Sequence, residues 1–157
     1  MSGWRRSSLA LAVVAVCVIA SCDGRKPGRD AVIQARTNDP RLTAATAEAT
    51  RRWSEFTDAF AHRRPKWAYA VKVALPVKGA DKAEHLWIGV LAIDGDTIHG
   101  SIDNKPVADV GYQYGDPVTV PVSEVEDWLF ASDPDHVTGG FTVRVLEQIQ
   151  REEEASR

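Results

Sequence analysis

The sequence predicts an α+β domain: one long N-terminal helix packed on a mostly antiparallel sheet of about five strands, plus a short helix near residues 124–130. Apolar residues recur at steps of three and four from Leu42 through Ala45, Ala49, Trp53 and Phe56 to Phe60, one stripe on a helix. Beyond Pro65 the spacing changes to alternation, as in Trp67, Tyr69, Val71, Val73 and Leu75. Successive strands joined by tight turns cannot be parallel neighbours, so the sheet is expected to be mostly antiparallel.

Each element has local reasons. Asp39-Pro40 opens the helix, because aspartate accepts backbone N–H groups at an N-cap and proline is tolerated in the first turn. Arg63-Arg64 suits the negative end of the helix dipole, and Pro65 stops the helix. The first strand spans Trp67–Val77, its bulkier face with Trp67 and Val71 turned to the core and Ala68, Ala70, Lys72 and Ala74 on the other. Leu86–Ile93 is apolar on both faces and reads as a central strand containing Trp87. Asp94-Gly95-Asp96 turns the chain into Thr97–Asp103, with Ile98 and Ile102 inward. Tyr114-Gly115-Asp116-Pro117 is a second turn, before Val118, Val120 and Val122. Ser123-Glu124-Val125-Glu126 has the form of a capping box, with Ser123 as N-cap of the short helix. Asp133–Gly140 reads as a loop, and Phe141, Val143 and Val145 as the last strand. There is no internal repeat.

Upstream lies a leader. Trp4-Arg5-Arg6 precedes an unbroken apolar run from Leu9 to Ala20. The run is shorter than the roughly 20 residues needed to span a bilayer, and fits the core of a secretory signal peptide. It ends in Ile19-Ala20-Ser21-Cys22, which resembles the bacterial lipobox. That resemblance implies cleavage before Cys22 and acylation of its thiol, anchoring the mature chain on the exported side of a bacterial membrane, inner or outer. Asp23 resembles an inner-membrane retention signal of enteric bacteria. The expected organisation is a signal peptide at 1–21, a flexible polar tether at 22–38, a domain at 39–149 and a charged tail at 150–157.

Charge and cysteine content narrow the function. The chain carries a formal net charge of −3, and loss of Arg5 and Arg6 with the leader makes it more acidic still. Nucleic-acid binding needs a basic face, so no nucleic acid is expected. Of the two cysteines, Cys17 leaves with the leader and Cys22 takes lipid, so no disulfide is expected. The histidines His62, His85, His99 and His136 show no metal-ligand spacing, and Asp94-Gly95-Asp96 lacks the downstream ligands of a calcium loop. No phosphate-binding glycine loop or nucleophile elbow is present, and no cofactor or metal is expected.

One set of residues is distinctive: Glu84-His85-Leu86-Trp87, Gly100, Asn104-Lys105-Pro106, Gly115-Asp116, Asp127-Trp128 and Gly139-Gly140-Phe141-Thr142. With Ala49, Arg52 and Phe56 in the helix and Val71-Lys72 in the first strand, these resemble the YegJ-like family (DUF2314) over about residues 46–146. The resemblance implies a fold and an exported or modular setting, and supplies no activity. Lys105 stands where the family commonly has an acid, and Tyr114 where a basic residue is expected nearby. A ligand bound through that loop would differ for this member.

The candidate binding residues are Glu84, His85, Asn104, Asp127 and Trp128, with Cys22 as the lipidation site. Glu84 and His85 are neighbours in a strand and point to opposite faces, which argues against a shared catalytic dyad. Their structural expectation is Glu84 paired with Lys72 or an arginine, and His85 bonded to backbone. Asp127 suits either backbone N–H groups or a ligand, Trp128 either the core or a cleft rim, and Asn104 a turn. Gly100 in a strand signals a bulge or a close backbone approach. The leading expectation is a noncatalytic envelope module. It binds an envelope protein or small ligand through a patch around Asn104, Asp127 and Trp128. The alternatives are a hydrolase using Asp127 or Glu84 as acid/base, and an immunity or inhibitor protein.

Overall fold

The computed structural model describes residues 39–156; the leader, Cys22 and the tether expected from sequence lie outside them. The chain forms α1 (Pro40–Arg51), α2 (Trp53–Ala61), β1 (Ala68–Pro76), β2 (Ala83–Asp94), β3 (Thr97–Ile102), β4 (Pro117–Pro121), a single 3-10 turn at Val122–Glu124, β5 (Val125–Asp133), β6 (His136–Gly139) and α3 (Phe141–Ala155). The class is α+β as expected. The sheet has six strands in the order β4-β3-β2-β1-β5-β6, every pair antiparallel. Among the described residues no helix is long and apolar enough to cross a membrane.

Four expectations about the secondary-structure elements are corrected. The long helix is broken at Arg52, whose φ −101° and ψ 16° are not helical. A carbonyl in the last turn of a helix has no partner within it, and that of Ala49 accepts the Trp128 indole N–H at 2.8 Å. The short helix near 124–130 is absent. Ser123 caps nothing, and Val125–Asp133 is a strand because β1 offers it a vacant edge, pairing Lys72 with Asp127 and Val71 with Trp128. The loop expected at 133–140 closes a hairpin, with β6 as the sixth strand. The last strand is instead α3, which continues to Ala155 and absorbs most of the expected charged tail. Phe141 and Ile149 are buried on it and Val145 is packed against the core, a spacing of four that alternation at 141–145 masks.

The core is continuous but has two characters. Below α1 and α2, which pack across β5, it is aromatic. Phe56 lies 5.8 Å from Trp128, Phe60 5.6 Å from Tyr69, and Phe141 meets Trp128 edge-on at 5.2 Å. Such tilted and edge-on pairs add about 0.5–1.5 kcal/mol beyond their area. Toward β2, β3 and β4 it is aliphatic, built from Leu86, Ile88, Ile98, Ile102, Val118 and Val120. Gly100 sits in that sheet because nothing larger fits: a Cβ there would lie 2.6 Å from Ile88 Cγ2. Trp87, expected in the core, is half-buried on the opposite face of β2, whose buried residues alternate as Leu86, Ile88 and Val90. Both sheet edges are blunted. Proline begins and ends β4, and the Gly139 carbonyl of the short β6 is taken by the Arg144 guanidinium.

Candidate functional site

The five candidate residues do not converge. They divide into two assemblies, and in each a carboxylate holds consecutive backbone amides.

In the first, Asp127 is fully buried in β5. Its Oδ1 accepts the N–H of Trp128 at 2.8 Å and of Phe141 at 3.0 Å. Its Oδ2 accepts the Thr142 N–H at 2.8 Å and the Thr142 hydroxyl at 2.7 Å. The residue that should cap α3 is Gly140, which has no side chain. Asp127 caps the helix from a neighbouring strand instead, placing its charge at the positive end of the helix dipole. Lys72, opposite Asp127 on β1, donates to the Thr142 hydroxyl at 3.2 Å. Desolvation lowers the Lys72 pKa, while Asp127 and Glu126 oppose that shift. Trp128 is likewise fully buried, its carbonyl accepts the Gly140 N–H at 2.8 Å, and Gly139 lies so close that a Cβ would sit 2.7 Å from Trp128 Cε3. The Asp-Trp and Gly-Gly-Phe-Thr elements are thus one structural joint. The patch expected around Asp127 and Trp128 is not on the surface.

In the second, Glu84 on β2 accepts the N–H of Val107 through Oε1 and of Ala108 through Oε2, each at 2.8 Å. It pairs neither with Lys72 nor with an arginine. Asn104 Oδ1 accepts the Trp87 N–H at 2.7 Å, so this turn residue ties the loop to β2. The remaining bonds run along the same segment. Asp103 N–H donates to the Trp87 carbonyl at 2.8 Å, Gly115 N–H to Ile102 at 2.8 Å, and Gln113 N–H to Asp116 Oδ2 at 2.8 Å. Lys78 N–H donates to the Asp109 carbonyl at 2.8 Å, and the buried Val110 pins the segment to the core. Residues 103–116, between β3 and β4, form a long connection without helix or strand. Unstructured loops above about 12–15 residues are uncommon in compact domains and are usually functional or disordered. This one is held at many points.

Beside its polar groups the held loop displays three large side chains, one aliphatic and two aromatic. Val107 is 73 % exposed, Tyr114 65 % and Tyr112 38 %. The loop and Lys78 surround an open cleft of about 700 Å³ lined also by Lys105, Pro106, Gln113 and Asp116. Sequence reasoning passed over Tyr112 and Val107 because exposure cannot be read from residue type. The available signal was the length of the segment between two strands.

His85 stands apart from Glu84, as alternation along a strand requires. Its Nδ1 lies 2.6 Å from Glu126 Oε2 on β5 rather than on backbone. Both oxygens of Asp127 and of Glu84 are engaged by N–H or O–H donors. Among the described residues no three His, Cys, Asp or Glu side chains are grouped to hold a metal, and no buried side-chain polar atom lacks a partner.

The fold and these two joints define an α+β domain whose motif residues hold its own backbone. The chain belongs to the family described as "Uncharacterized protein conserved in bacteria (DUF2314)", matched over residues 39–157. It is similar to a putative ankyrin repeat protein of Neisseria meningitidis serogroup B, 35% identical over 86 residues. The match takes in 54% of this chain and 34% of that protein, so it spans about a third of the relative's length. No solved structure matches the chain.

Proposed function

We propose that the protein is a noncatalytic binding module of the bacterial envelope, tethered by lipid on Cys22, and that its recognition surface is the 103–116 loop. One observation carries the reading: a long loop is fastened to β2 through Glu84 and Asn104, yet shows solvent Val107, Tyr112 and Tyr114. Tyrosine offers broad amphipathic contact at low entropic cost, and a surface ordered beforehand loses less freedom on binding. Clustered exposed apolar groups mark interaction sites more often than isolated ones. The relative supports a modular role, since the matched stretch is a minor part of a longer chain there. The leader and its Ile19-Ala20-Ser21-Cys22 end support the address. Several acyl chains anchor stably where one does not.

The test is in-cell crosslinking of the full-length protein beside a Tyr112→Ala/Tyr114→Ala variant with an unchanged melting transition. Recovery of a partner by the native protein and its loss with the variant is the expected result. Equal recovery by both moves recognition off the loop. Palmitate labelling of native and Cys22→Ser chains checks the anchor, and incorporation into the Cys22→Ser chain would remove it.

A further inference from the structure

The cleft of the anchored loop has the volume of a small-molecule site, for which about 300–1,000 Å³ is usual. Sites for compact apolar ligands are enclosed and lined mainly by aliphatic and aromatic groups. This cleft is open, and Tyr112, Tyr114 and Pro106 are the large apolar groups in its lining, the two tyrosine rings being exposed and flat. Polar groups stand among them. The two phenol hydroxyls, the Gln113 carboxamide and the Lys105 ammonium make no hydrogen bond or ion pair among the described residues. Lys78 is different, its Nζ lying 3.4 Å from Asp109 Oδ1. Asp116 also lines the cleft and has its Oδ2 taken by the Gln113 N–H, so Lys105 is the lining cation that forms no ion pair among the described residues.

These groups fit one ligand chemistry. A hexose ring has a flat face of C–H groups and a rim of hydroxyls. Aromatic faces take the first by dispersion and by the negative charge of the π face. The carboxamide and phenols take the second, each able to donate and accept. An apolar peptide side chain instead needs a recess that desolvates it fully, which an open cleft does not provide. The unpaired ammonium adds a charge-assisted bond to any carboxylate on the ring. We infer that this cleft binds a saccharide bearing a carboxylate, of the uronic-acid type. The inference rests on the loop being the recognition surface.

The test is retention of the detergent-solubilised full-length protein on an array of uronic-acid, neutral hexose and N-acetylhexosamine oligosaccharides. The native protein is expected to favour the uronic-acid set. The Tyr112→Ala/Tyr114→Ala variant should bind at least tenfold more weakly with an unchanged melting transition. Lys105→Gln should bring acidic and neutral sugars to equal retention. No retention on any saccharide, or retention indifferent to the tyrosines or to the carboxylate, overturns the assignment. A blank array beside a crosslinked partner lost with the tyrosine variant removes the saccharide and leaves the recognition loop standing. A blank array with no such partner removes both.

Discussion

Asp127 and Glu84 perform the same act in different surroundings. Each carboxylate accepts two consecutive backbone N–H groups from a segment distant in sequence: Phe141 and Thr142 for Asp127, Val107 and Ala108 for Glu84. Asp127 does so with no solvent contact, at the N-terminus of a helix that packs against α1. Glu84 does so half-buried, under a loop that ends in water. A buried donor that loses its acceptor has no water to turn to, whereas an exposed one does. The first anchor therefore governs whether the domain folds. The second governs whether one surface keeps its shape.

Substitutions separate the two roles. The largest effect is expected from Asp127→Ala, which strands the Phe141 and Thr142 amides and removes the stronger of the two acidic fields on the buried Lys72. A loss of about 3–5 kcal/mol is expected, read as a fall of about 10 °C or more in melting temperature. A loss below about 1 kcal/mol would mean that solvent reaches the joint. Gly139→Ala comes next, at about 2–3 kcal/mol, because φ is +88° there and the new Cβ meets Trp128. Glu84→Ala is expected to cost only about 1–2 kcal/mol in chemical denaturation. It should nonetheless abolish hydrogen-exchange protection at Val107 and Ala108 while α3 stays protected. Simultaneous loss at both places would merge the two anchors into one cooperative unit.

The smallest effect concerns Lys72. Desolvation holds its folded-state pKa below the ordinary 10.5. The folded state then releases this proton before the unfolded state does, so stability from this group rises with pH through the alkaline window below 10.5. Lys72→Met should change stability by within about 1 kcal/mol at pH 7 and flatten that rise. Urea denaturation at pH 7 and in the alkaline window checks both, and an unaltered pH slope would assign the rise elsewhere.

The family-like residues were legible in the sequence, but their purpose was not. Glu84, Asn104 and Asp127 all proved to hold backbone, and apart from the adjacent Trp128 amide their backbone partners lie 14 to 24 positions away. The separation of Glu84 from His85 was readable, since alternation along a strand needs no tertiary knowledge. The strand at Val125–Asp133 was hidden by a local capping-box pattern. The helix at Phe141–Ala155 was hidden by three residues that alternate as well as they step by four. Short apolar runs are ambiguous between the two periods. Trp87 was misjudged because an apolar run does not show which of its faces is covered.

By itself, the sequence determined the α+β class, the Asp39 cap, the stripe from Ala45 to Phe60, the first two hairpin partners and the Asp94-Gly95-Asp96 turn. Each rests on contacts or periodicities within a few residues, where local physics suffices. Only the tertiary structure decided that Asp127 and Trp128 are interior, that α3 is a helix, and that Tyr112 and Tyr114 face water on a fastened loop. Those outcomes depend on which unsatisfied backbone group meets which distant side chain, and the burial that sets the strength of that bond exists only once the chain has closed on itself.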